Sequence, residues 1–251
     1  MVLLVLCTGM FMAILDVNII NIAVVRIQAE FDTTLVAMTW AVDSYNLALA
    51  GFMLSSGVLA DRYGARRIWL WGVVFFTGAS LGCAVSRSIT QLILLRLLQG
   101  TGAALFIPAS FALMPIIWPE NTARQRAIGL FGGIVAVAAA AGPVLGGVMI
   151  DAFSWRSIFL INIPTGLFAI LSACRQLPRA FGNRGGHYDF IGQSTGLLGL
   201  ACLSYVLIEL PAQGWHDVWI RLAALAAFLS AVIFSGGTVR PGAHDSAPVI
   251  P

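Results

Sequence analysis

The chain has 251 residues, 59% of them hydrophobic and 10% charged, with a formal charge of +3. A soluble domain carries about a quarter charged residues to hydrate its surface, so this composition excludes an ordinary soluble fold and makes lipid the solvent for most of the chain. The charge is 14 arginines against 11 acidic residues with no lysine, an excess too modest and too scattered to form a nucleic-acid-binding face.

A spanning helix needs roughly 20 mostly apolar residues. Eight segments meet that description in chain order: Val2–Val25, Leu35–Ala60, Ile68–Val85, Leu92–Ile117, Ala127–Ile150, Ile158–Cys174, Phe190–Leu210 and Val218–Ser235. The expected fold is therefore all-α, a polytopic bundle of about eight transmembrane helices. The first run lacks a basic n-region and a small-residue cleavage site and continues past Asp16, so it is expected to be a span and not a removable leader.

Orientation follows from where the arginines fall. One alternate set of connectors holds Arg62, Arg66, Arg67, Arg124, Arg126, Arg175, Arg179 and Arg184, with Arg240 beyond the last span; the other holds Arg26, Arg87, Arg156 and Arg221. The richer set is expected on the cytoplasmic side, with both termini inside. The longest connector, rich in Gly, Pro and Arg, sets the expected organisation: residues 1–176 as a six-helix half, 177–189 as a cytoplasmic connector, 190–236 as two additional helices and 237–251 as a polar tail.

Charges fall inside spans, among them Asp16 deep in the first, Asp43 in the second and Arg96 in the fourth. A charge at the bilayer centre costs about 2.5–3.5 kcal/mol on insertion scales, so each should face a cavity or a partner. One reading is a static polar bridge. The other is proton chemistry, because a buried carboxyl group holds its proton more tightly alone than beside an arginine. An aspartate that exchanges those surroundings between two conformations carries a proton across, and it can also attract a cationic substrate. Spacing alone does not divide these roles between Asp16 and Asp43.

The four cysteines lie in or beside apolar runs without ligand spacing, and His187, His216 and His244 fall in polar connectors, so neither a disulfide nor a metal site is expected. No HExxH, Ser/His pair or phosphate loop occurs in the spans, so no enzyme activity and no cofactor are expected. Trp69, Trp71, Trp118, Trp155, Trp215 and Trp219 lie near span ends, where indoles favour the membrane interface.

The motifs are more specific. Between the second and third spans stands Gly57-Val-Leu-Ala-Asp61-Arg62-Tyr-Gly64-Ala-Arg66-Arg67, which resembles the signature loop GxLADRxGxKxxL of the major facilitator superfamily, with Arg66 where the pattern often has Lys. The fourth span contains Arg96-Leu-Leu-Gln99-Gly100-Thr-Gly102, and the fifth Gly142-Pro143-Val-Leu-Gly146-Gly147. The former resembles the family motif whose Arg is implicated in proton transfer; the latter resembles the antiporter motif of exporters, with Ala138 where that pattern has Gly. Leu15-Asp16-Val-Asn-Ile-Ile-Asn21, Trp40-Ala-Val-Asp43-Ser-Tyr45 and Trp155-Arg156-Ser-Ile-Phe-Leu-Ile-Asn162-Ile-Pro164 are similar to segments of the fourteen-span drug:proton antiporters. The resemblance covers nearly the whole chain.

It implies six-span halves that rock about a central site. Asp16, Asp43 and Arg96 would line or flank the cavity, and Asp61 would join a cytoplasmic latch. The implied function is proton-coupled efflux of drugs or other amphipathic small molecules from a bacterial plasma membrane. The implied partners are lipid, substrate and protons, with no nucleic acid. Eight spans leave a second six-span half unaccounted for. A longer parent protein, a split gene whose second chain supplies that half, and a non-transporting remnant remain open, as does uptake of a specific metabolite.

Overall fold

The computed structural model describes residues 1–178 and 190–238. Every regular element among them is a helix: α1 Val2–Phe31, α2 Leu35–Tyr63, α3 Ala65–Ala84, α4 Ile89–Ile117, α5 Asn121–Ala152, α6 Ser157–Leu160, α7 Asn162–Gln176, α8 Phe190–Gln213 and α9 Val218–Thr238. Arg179, Arg184, Arg240, the connector glycines and the tail fall outside the described residues.

The ends of these helices are set by local chemistry. Thr34 accepts a hydrogen bond from the Ala37 amide at 3.2 Å and opens α2; Ser88 does the same for Gln91 at 3.3 Å and opens α4. Gly64 lies at φ 94°, a conformation that side chains disfavour. It both ends α2 and starts α3, so two long helices reverse direction across one residue. The sixth span is broken between α6 and α7. Pro164 has no amide hydrogen for the Leu160 carbonyl four residues back, and the helix restarts at Asn162.

Six helical stretches are long and apolar enough to cross a membrane: α1, α3, α4, α5, the combined Ser157–Gln176 and Gly192–Gln213 within α8. The other two expected spans form as α2, 29 residues carrying the polar run Asp43-Ser44-Tyr45-Asn46, and α9, whose apolar stretch is Val218–Ile233. The helices overrun the apolar runs at their ends, because helical hydrogen bonding continues into polar residues such as Arg26 and Glu30 of α1.

The chain divides into two compact units, Met1–Tyr188 and Asp189–Pro251. In the first, α4 runs between α2 and α3, and α5 lies along α1. Glycines set these approaches. A Cβ on Gly100 would lie 2.3 Å from the Tyr45 carbonyl oxygen of α2, and one on Gly102 would lie 2.6 Å from the Phe76 amide nitrogen of α3. Two residues apart, they face opposite neighbours, and each lets a backbone approach where lipid offers no hydrophobic drive for association. In the second unit α8 and α9 pair, with Gly199 against Ser230; Asp217 caps α9 by accepting from the Trp219 amide at 2.6 Å.

Two apolar clusters fill the first unit. One gathers Trp69, Phe76, Phe106 and Leu113; the other gathers Leu15, Ile19, Leu92, Trp155 and Phe159. Two tryptophans expected at the interface are instead interior. Trp69 is fully buried and donates to Ser110 at 2.9 Å, and Trp155 is buried and donates to Glu30 at 2.6 Å. Proximity to a span end fixes depth, not which way the ring turns. Trp71, Trp215 and Trp219 are exposed.

Replacing Gly100 or Gly102 by Val should destabilise the chain by about 1–3 kcal/mol each, while Gly78→Ala, whose Cβ would meet open space, should be neutral. Thermal unfolding in detergent measures this, and equal behaviour of all three variants would contradict the close-approach assignment.

Candidate functional site

Between the two apolar clusters lies a buried polar network drawn from five helices. Asp16 of α1, Tyr45 of α2, Ser80 and Cys83 of α3, Arg96 and Gln99 of α4 and Asn162 of α7 are each at most 2% exposed. Asp16 lies on the buried face of α1, with Met12, Ile19 and Ile20 one turn to either side. Arg96 and Gln99 are three residues apart and so share a face of α4. Asn162 opens α7, where the Pro164 break leaves it.

The hydrogen bonds converge on the Asp16 carboxylate. Its Oδ2 accepts from Arg96 Nη1, forming a buried ion pair, and its Oδ1 accepts from Gln99 Nε2 at 2.8 Å and from Asn162 Nδ2 at 3.2 Å. Both amides also donate to Ser80 Oγ, at 2.7 Å from Gln99 and 3.0 Å from Asn162. Gln99 Oε1 accepts from Arg96 Nη1 at 2.8 Å and from the Cys83 thiol at 3.9 Å. Gln99 is thereby fixed in one orientation, since turning its amide over would set oxygen against the carboxylate and N–H against the guanidinium. Arg96 Nε donates to the Ala41 carbonyl at 3.4 Å, and its Cζ lies 4.4 Å from the centre of the Tyr45 ring.

Asp43 is not in this network. It is half-buried on the flank of α2, and among the described residues it makes no hydrogen bond or ion pair. Two residues along a helix is a rotation of about 200°, so with Tyr45 turned to Arg96, Asp43 faces elsewhere. Asn46 on the same helix and Asn21 on α1 are exposed.

The loop motif occupies the turn from α2 to α3. Gly64 makes the reversal, Gly57 is half-buried with open space around it, and Asp61 and Arg62 are exposed, the latter 5.6 Å from the Tyr63 ring centre. Arg66 donates to the Cys174 carbonyl at 2.6 Å, placing a cation at the end of α7, where the helix dipole favours one. In the fifth-span motif, Gly142 and Gly146 pack α5 against α1: their added Cβ atoms would lie 2.7 Å from Asn18 and 2.6 Å from Ile19. Pro143 faces away and is exposed, and Gly147 is half-buried with nothing near it.

Sequence reasoning gave no role to Ser80, Asn162 or Tyr45. Asn162 did carry a signal, a lone amide in an apolar span two residues before a proline; Ser80 carried none.

The sequence profile of the Major Facilitator Superfamily matches residues 6–241. The chain belongs to the major facilitator superfamily. It is 42% identical over 233 residues to the Methylenomycin A resistance protein of Bacillus subtilis (strain 168), a match covering 93% of this chain and 50% of that protein. It is 32% identical over 229 residues to the Riboflavin transporter RibZ of Clostridioides difficile (strain 630), covering 91% of this chain and 49% of that one. The chain thus spans about half the length of the curated relatives it matches. Its fold is shared with a crystal structure of a mutant of peptide transporter POT in complex with sulfate, at a TM-score of 0.70 and 14% identity, over 95% of this chain and 52% of that one. The family and the apolar helices identify an integral membrane protein.

Removing one member of a buried ion pair leaves an uncompensated charge and costs about 3–5 kcal/mol, whereas replacing both by apolar groups is often neutral. Asp16→Leu should therefore lower thermal stability in detergent by that amount. Asp16→Leu with Arg96→Met should recover most of it. A double variant no better than Asp16→Leu alone would show that the two charges are not coupled.

Proposed function

We propose that the chain forms the first six-span half, with two further helices, of a fourteen-span proton-coupled exporter of drugs or other amphipathic small molecules. The observation that carries this reading is the Asp16–Arg96 pair, a titratable carboxylate buried beside a permanent cation and shared between helices. Proton uptake by Asp16 removes the negative member and leaves Arg96 unpaired on that side, so the packing of α1 against α4 depends on protonation. Such a bistable contact gives a proton gradient purchase on a conformational equilibrium. Asp43, uncommitted and half-buried, is suited to attract the cationic part of a substrate. The similarity to a resistance protein supports the export direction.

A second half, from the same gene product or from a partner chain, supplies the opposite wall of the cavity, and the two halves alternate access by rocking. The arginine excess on one alternate set of connectors supports a cytoplasmic position for both ends of the chain, in a bacterial plasma membrane. The similarity to a riboflavin transporter favours a second reading, the movement of one specific metabolite. In that case the Asp16–Arg96 pair keeps its role, and Asp43 serves a narrower substrate.

The whole natural product in everted membrane vesicles should accumulate an amphipathic cationic dye, and a protonophore should abolish the accumulation. Asp16→Asn should reduce it to background and Asp43→Asn should weaken it, in each case with the protein still present in the membrane. Unchanged transport in Asp16→Asn would overturn the proton role, and unchanged transport in Asp43→Asn would overturn the substrate-attracting one. Activity confined to one metabolite would establish the second reading.

A further inference from the structure

Tyr45 is among the largest fully buried side chains of the protein, yet its Oη makes no hydrogen bond among the described residues. Burying a phenol hydroxyl without a partner is costly, so the ring must provide what the hydroxyl does not. Its neighbours show what that is. Arg96 lies over its face at 4.4 Å, and Phe76 meets it edge to face at 6.4 Å. The register is fixed by Gly100, which lets the α4 backbone reach the Tyr45 carbonyl.

We infer that Tyr45 is a positioning residue for the Asp16–Arg96 pair, its ring face holding the Arg96 guanidinium when Asp16 is protonated. This rests on the proton-coupled reading above. When Asp16 takes up a proton, the pair changes from neutral to a net charge of +1 inside the bundle, and Arg96 loses its counterion. Three groups are placed to receive the guanidinium: Gln99 Oε1, the Ala41 carbonyl and the Tyr45 ring. The oxygens supply hydrogen-bond acceptors and the ring supplies an electron-rich surface, an attraction that strengthens where water is excluded.

The titratable or charged groups facing this site are Asp16 from α1, Tyr45 from α2, Cys83 from α3 and Arg96 from α4, while α7 adds the uncharged Asn162. Without the ring, the proton-loaded state strands a buried cation. The substrate-loaded state, in which Asp16 is ionised and paired, is unaffected. Tyr45 therefore matters to the half-cycle that returns the proton and not to substrate exchange.

The test is transport by the whole natural product reconstituted in liposomes, read in two ways: uptake driven by a pH gradient, and exchange of labelled substrate without a gradient. Tyr45→Leu should lose gradient-driven uptake about 30-fold, the equivalent of roughly 2 kcal/mol, with exchange held within about twofold. Tyr45→Phe should restore driven uptake, since the hydroxyl has no partner. Undiminished driven uptake in Tyr45→Leu would overturn the assignment. So would loss of exchange and driven uptake together, which marks a packing residue, or equal damage in Tyr45→Phe. If the unsubstituted protein shows no response to the gradient while exchange proceeds, it is the proton-coupled reading that fails, and the role of Tyr45 falls with it.

Discussion

A carboxylate and a guanidinium buried together in the middle of a lipid-solvated bundle constrain everything around them. Burying either Asp16 or Arg96 without a partner would be costly, and each fixes the other's position. Satisfying their remaining donors and acceptors then recruits Gln99, Asn162, Ser80 and the Ala41 carbonyl, so that α1, α2, α3, α4 and α7 are tied at one level. Apolar packing above and below this level is permissive, since many side chains would fill it. The network is not, because each of its groups has a specific partner.

Polar bonds of this kind need short distances, and short distances between helices need small residues. Gly100 and Gly102 bring α4 within backbone contact of α2 and α3, and Gly142 and Gly146 bring α5 onto α1. Gly166 is seated so closely against Thr77 that a Cβ would overlap the threonine hydroxyl. Glycine thus acts here through its size. The exception is Gly64, whose positive φ permits the one-residue reversal on which Arg66 reaches the end of α7. A second tie at the opposite end joins Arg156 to Glu30 at 2.6 Å and to the Ser86 carbonyl at 3.1 Å, fastening the ends of α1 and α3 to α6.

The first unit is therefore tied at its ends, at its glycine contacts and at its centre, and on the proposed proton-coupled reading the central ion pair is the contact that opens. That combination suits a body that moves as a whole in response to a local change in charge.

The sequence by itself determined that the chain is helical, lipid-solvated and built from long apolar spans, because those properties follow from composition and run length. Its motifs placed it in its superfamily and singled out Asp16, Arg96, Gln99 and the glycines of α4 and α5. Only the tertiary structure decided which polar residues meet. Asp16 and Asp43 look alike in the sequence, each an acid within a long span, yet one is locked to Arg96 and the other stands apart. The reason is rotation about the helix axis, which an apolar run does not encode when all its sides are apolar. The same ignorance of facing put Trp69 and Trp155 at the interface in the sequence reading, although both are interior. Ser80 was invisible for a different reason: a small hydroxyl becomes informative only when two amides from other helices, distant in the chain, arrive beside it.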